Sequence, residues 1–179
     1  MARRRARVLV IDASVAGAAS DREGTSSREC TDFLRALQAL KHRVALSTPL
    51  LEEWHRHETR YAATWLRSMF ARKRVDSFKV EEDPGLRESL RQAAPHPRIA
   101  AIVLKDAHLI EIALVTDRRI ISLDEEARKH FGQAVESVGV LSTICWVNPA
   151  RSVEQPIEWL RAGARDEQQR MLGYVSSED

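Results

Sequence analysis

Val8-Leu9-Val10-Ile11 is a run of four apolar residues, three of them β-branched. A strand with one wet face alternates polar and apolar residues, whereas a continuous run suits a strand buried on both faces. Such strands belong to parallel sheets covered by helices, so this tract alone points to an α/β chain. The run stops at Asp12. A carboxyl group placed directly after four core residues gains little structurally, which marks Asp12 as a functional residue.

The same pattern returns in Lys105–Asp124. Ala107, Ile110, Ala113 and Leu114 recur at helical spacing, and Ile120, Ile121 and Leu123 make a short β-rich run bounded by charge. Asp106 opens the helix and Asp124 closes the strand. In a parallel sheet each helix runs antiparallel to the strand it feeds, so a helix N-terminus and the end of the next strand share one edge. Asp106 and Asp124 are therefore expected to meet. Val44-Ala45-Leu46-Ser47 reads as a second strand, and Thr48-Pro49 opens a long helix with Ser47 or Thr48 as its N-cap. That helix is expected to continue through Trp54, Tyr61, Trp65, Leu66 and Met69. Glu52 and Glu53 lie in its first turns, and residues about 100° apart cannot both face a cleft; Glu53 is the one assigned to it.

The remaining tracts complete the outline. Ala13–Ala19 is a short helical turn or loop, Ser20–Ser27 an exposed loop and Arg28–His42 a helix. Residues 75–98 form a connecting, lid-like segment with a short helix over Leu86–Ala94. A helix begins at Asp124 and ends at Gly132. Val138–Val147 holds a last strand or two, stopped by Asn148-Pro149, and Val153–Ala164 is a C-terminal helix before a polar, partly disordered tail. Strands alternating with helices predict a three-layer α/β/α fold around a mostly parallel sheet.

On that fold Asp12, Glu53, Asp106 and Asp124 converge at the carboxyl edge of the sheet, where such folds bind ligands. Converging carboxylates repel, and a partly desolvated cleft must protonate some of them or admit a cation. A hard divalent ion such as Mg²⁺ suits carboxylates, water and a substrate phosphate. Taken singly, Asp106 and Asp124 could simply cap helices; the conjunction of four carries the argument. Asp117 is expected at the opposite edge in a structural role, unless Ile110–Thr116 is a strand, in which case Asp117 replaces Asp124.

The 179 residues suffice for a single domain with a proper core. The formal charge of +2 permits a nucleic-acid partner without demanding one. Cys30 and Cys145 fit no zinc or redox spacing and read as buried thiols of a reducing compartment. The basic start, Met1–Arg7, imitates a signal peptide, but Asp12 cuts the apolar run too early, and no run could span a bilayer. A cytoplasmic protein with no membrane partner is expected. No Walker A, G-x-G-x-x-G or G-x-S-x-G pattern is present. His55, His57 and His108 read as solvated or core-edge residues. Arg56, Arg60 and Arg128 could touch phosphates, although exposed helical arginines usually do not. The tryptophans suit an interface or the core.

Val-Leu-Val-Ile-Asp12-Ala-Ser14, Thr-Pro-Leu-Leu-Glu-Glu53-Trp, Lys-Asp106-Ala-His-Leu-Ile-Glu-Ile-Ala and Ile-Ile-Ser-Leu-Asp124 resemble, in order, the acidic motifs of PIN-domain ribonucleases. The resemblance covers residues 1–150 and leaves 151–179 as a C-terminal helix and tail on the same domain. It implies Mg²⁺- or Mn²⁺-dependent endoribonuclease activity on RNA, often as the toxin of a toxin–antitoxin pair, and frequently a homodimer. Asp12, Asp106 and Asp124 would be metal ligands, directly or through water, with Glu53 completing the site and Ser14 orienting Asp12. The alternative is a PIN-like module that binds RNA or protein without cutting.

Overall fold

A computed structural model describes residues 6–20 and 24–175. Its centre is β1 (Val8–Ile11), flanked by β2 (Arg43–Ser47) on one side and β4 (Arg119–Ile121) on the other. This central place is why the run needs no polar face: Leu9, Val10 and Ile11 have no exposed surface. β3 (Val75–Phe78) pairs with β2, and β5 (Cys145–Val147) with β4, giving the order β3-β2-β1-β4-β5 with every neighbouring pair parallel.

Parallel neighbours require crossovers, which here are helical. Between β1 and β2 lie α1 (Ala13–Ala18) and α2 (Thr25–Ala39), and between β2 and β3 lie α3 (Thr48–His57) and α4 (Arg60–Ala71). The return to β4 carries α5 (Pro84–Ala93), α6 (Pro97–Lys105) and α7 (Ala107–Leu114). After β4 come α8 (Glu125–Gln133) and, beyond β5, α9 (Pro156–Arg161). The usual right-handed crossover puts the helices that lead away from β1 on one face and those returning past it on the other, a three-layer α/β/α fold. The chain leaves β1 toward β2 and leaves β4 toward β5, in opposite directions along the sheet. Their shared border is thus the switch point, where a crevice opens at the strand ends.

Several expected elements differ. The long helix is two helices: Thr59, extended at φ −74 and ψ 166, caps α4 by accepting the Ala62 N–H at 3.1 Å, while its own N–H donates to Ala16 O at 3.2 Å. The 75–98 segment contains the expected short helix as α5, but it opens with an edge strand, β3, and α6 begins at Pro97. β3 escaped notice because its Val-Asp-Ser-Phe sequence is polar at the sheet border, where Arg43 of β2 pairs with Asp76. α8 runs one residue past Gly132. A Cβ at Gly132 would lie 3.2 Å from Gly173 N, so this glycine admits the returning tail rather than ending the helix. Of the strand or two expected in Val138–Val147 one forms, β5, after a 3₁₀ turn over Gly139–Thr143, and the C-terminal helix is shortened to α9 behind another such turn at Ser152–Glu154.

The tail packs against the domain over Met171–Gly173. Met171 bridges to Cys145, and Leu172 N–H donates to Ile144 O at 2.9 Å. The signal-like start through Arg5, residues 21–23 of the stretch expected as a loop, and the last four residues lie outside the described residues; the end of that stretch, from Thr25, belongs to α2. All four tryptophans belong to the core, with Trp54 stacked on Trp65 at 6.1 Å, so none is left for an interface. Cys30 on α2 and Cys145 on β5 are buried free thiols, and burial pushes both up to about 12. Among the described residues no helix is long and apolar enough to cross a membrane.

Candidate functional site

Asp12, Glu53, Asp106 and Asp124 line one cleft of about 430 Å³ at the carboxyl edge of the sheet, above the β1–β4 border. Asp12 leaves β1 with its N–H on Ile121 O at 2.9 Å, so the end of β4 fixes its backbone. It occupies the N-cap position of α1 without capping it. Its Oδ2 instead accepts Ser14 Oγ at 2.5 Å and Ser122 Oγ at 2.7 Å. Each hydroxyl has one proton, spent on Asp12, and each accepts a backbone N–H in return: Leu123 N at 3.1 Å on Ser14 and Asp124 N at 3.0 Å on Ser122. The two serines thereby couple the first acid to the loop that carries the last. Oδ1 of Asp12 takes no donor among the described residues.

Asp124 does cap a helix: Oδ1 accepts the Ala127 N–H of α8 at 2.8 Å. Asp106 does not, although it stands at the junction of α6 and α7. It is half-buried, and no donor or cation among the described residues reaches its carboxylate in hydrogen-bond or ion-pair geometry. Its pKa is raised to about 6, chiefly by burial, with the charges of Asp12 and Asp124 adding to the rise and Lys105 and His108 opposing it. That response places the three aspartates within each other's field.

Glu53 comes from α3, whose start is set by Ser47 as N-cap and Pro49 in the first turn. The adjacent Trp54 donates its indole N–H to Ile11 O at 2.8 Å, pinning α3 to the residue before Asp12. Glu53 Oε2 lies 3.2 Å from His108 Nε2. The ring is misaligned for a hydrogen bond there, so buried Nε2 has no hydrogen-bond partner, while Nδ1 faces Lys105 O at 3.1 Å. Glu52, by contrast, points to solvent. α1 supplies the small wall of the cleft, Ala13, Ser14 and Gly17. A Cβ at Gly17 would meet His57 O at 3.2 Å, so the glycine lets α1 approach the end of α3.

Asp117 sits at the opposite edge as expected, accepting the Val8 N–H at 2.8 Å on Oδ2. The segment before it is helical, which removes the alternative that put Asp117 in the cluster. Arg128 is tied to Glu154 at 2.5 Å and is not a lining residue of the cleft. Ser122, Lys105, His57 and His108 are site residues that the sequence reading missed. For Ser122 a signal existed, a hydroxyl two residues before Asp124 inside an otherwise apolar run; Lys105 is adjacent to Asp106.

The donor set is four carboxylates without a thiolate, which suits a hard oxygen-seeking cation. Among the described residues no three acid, imidazole or thiol side chains already form a group that could hold an ion. The acids share a cleft without closing on one point. Compared with known proteins, the chain matches no family model and no curated sequence.

Proposed function

We propose that the cleft binds Mg²⁺ or Mn²⁺ and hydrolyses RNA phosphodiester bonds, as a PIN-type endoribonuclease does. The observation that carries this reading is Asp106, a half-buried carboxyl group with no protein partner, its pKa raised to about 6 by burial and by Asp12 and Asp124. A purely structural acid in that place would be capping α7 or paired with a cation, and Asp106 does neither. Asp12, Asp106 and Asp124 would hold the ion, with Glu53 at the far wall. A divalent ion bound there would neutralise the acids, activate water and stabilise charge growing on the phosphate.

The chain's own groups have separate tasks. Ser14 and Ser122 hold Asp12 by Oδ2 and leave Oδ1 for the cleft. Trp54 fixes the distance of α3 from β1, and with it Glu53. Lys105, exposed on the rim, offers a phosphate its only nearby lysine among the cleft-lining residues.

The test is cleavage of a labelled RNA with Mn²⁺ or Mg²⁺ by wild type and Asp12→Asn. Cleavage by wild type alone is expected; equal activity in both rejects the reading. Calorimetric titration with Mn²⁺ distinguishes a nuclease from a module that binds RNA or protein without cutting, which has no use for the ion. A toxin role is tested in the same pair of variants, with growth arrest on expression of wild type and none with Asp12→Asn.

A further inference from the structure

We propose that the outer face of α4 is a binding track for single-stranded RNA, leading away from the acidic cleft. This rests on the cleft's reading as an RNA-cutting centre for its purpose, but on different residues for its chemistry.

From Thr59 through Val75 the chain holds Arg60, Arg67, Arg72, Lys73 and Arg74 and no acid. Arg60 and Arg67, seven residues apart, share the solvent face of α4, opposite the buried Ala62, Trp65, Leu66 and Met69. Arg43, Arg87, Arg119, Arg128 and Arg170 each meet a carboxylate; the cations on and just after α4 do not. No carboxylate of the described residues lies within 4.0 Å of Arg60, Arg67, Arg72 or Lys73. Arg67 donates only to Ala63 O and Thr64 Oγ1 of its own helix, and Arg72 to Ser68 Oγ. Unpaired cations on a rigid helix keep their charge available for phosphates.

Phe70 makes the surface more than a charge patch. It is 45% exposed, three residues after Arg67 and three before Lys73. An exposed ring among unpaired cations is the combination that holds single strands, the ring stacking on a base while the cations follow the backbone. A duplex hides its base faces and cannot use the ring. The track also begins at the right place. His57 at the end of α3 lines the cleft, and Thr59 fastens the start of α4 to α1 through Ala16 O. From Arg60 the 12 residues of α4 extend about 18 Å.

The experiment measures binding of a fluorescein-labelled unstructured oligouridylate, and of an RNA duplex, in EDTA over a range of salt. Arg60→Gln with Arg67→Gln should lower the salt slope by about 1.4, which between 1 M and 0.1 M salt amounts to about 25-fold weaker binding. Phe70→Ala should weaken the single strand about tenfold, leave the slope alone and spare the duplex. Arg91→Gln, which removes an exposed arginine paired with Glu88, should change nothing. Wild-type affinity and slope in the double variant overturn the proposal, as does an unchanged single-strand affinity in Phe70→Ala. If wild type never cuts yet the dependence on α4 holds, the nuclease reading fails and the track stands; cleavage without dependence on α4 has the reverse meaning.

Discussion

Replacing Asp106 by Asn should make the metal-free protein more stable, and the gain should depend on pH. Asn has the size of Asp and the neutrality of its protonated form. The folded protein raises the Asp106 pKa to about 6 from the ordinary 3.8, so the ionised form is disfavoured on folding. That gap corresponds to about 3 kcal/mol as an upper bound. Solvent reaching the half-buried carboxylate reduces it to about 1–2 kcal/mol. A raised acid pKa has its full destabilising effect above the folded value, and the effect disappears as pH falls through about 6 toward 3.8. In EDTA at pH 8 the variant should therefore unfold at a urea concentration higher by about 0.5–1 M, given a typical slope of 1–3 kcal/mol per M. At pH 4 the two midpoints should nearly coincide. Adding Mn²⁺ at pH 8 should raise the wild-type midpoint and close the gap, because a ligand of the native state stabilises it. A variant less stable than wild type at pH 8, or a gain that does not vary with pH, refutes the reasoning.

Other outcomes follow from single contacts. Ser122→Ala removes a donor to Asp12 and orphans the Asp124 N–H; stability should fall by about 1–3 kcal/mol in urea unfolding, and RNA cleavage should fall with it. Arg87→Met leaves buried Glu111 without the guanidinium that holds both its oxygens at 2.8 and 2.9 Å. Thermal unfolding at pH 7 should show a loss of about 3–5 kcal/mol. Asp117→Ala should destabilise by about 1–3 kcal/mol through the unpaired Val8 N–H, with the cleavage rate of the folded fraction unchanged.

What could be read from the chain depended on whether a residue's role was local. Val8–Ile11 announced a central strand because burial on both faces leaves no choice of side chain, and the acids after β1 and β4 followed from sheet geometry. β3 was illegible because an edge strand can be polar: Asp76 is tolerated where it meets Arg43. The break between α3 and α4 carried no Gly or Pro; Thr59 makes it through contacts with Ala16 of α1 and with Ala19 just beyond it, remote in sequence. Pro97, inside the stretch expected to be a connection, is the first residue of α6, the position at which its missing N–H does no harm. Ser14 was legible by its place beside Asp12, but the matching grip of Ser122 spans 110 residues and exists only once β1 and β4 are neighbours.

The close passage of Gly173 over Gly132 has a consequence for the far end of α8. The helix that Asp124 begins is clamped at its other end by the chain's returning segment, which is itself stitched to β5. Trimming those closing residues would free the helix to pivot, and the acid at its tip would swing with it. A change more than forty positions downstream would thus be felt in the cleft as a ligand out of place.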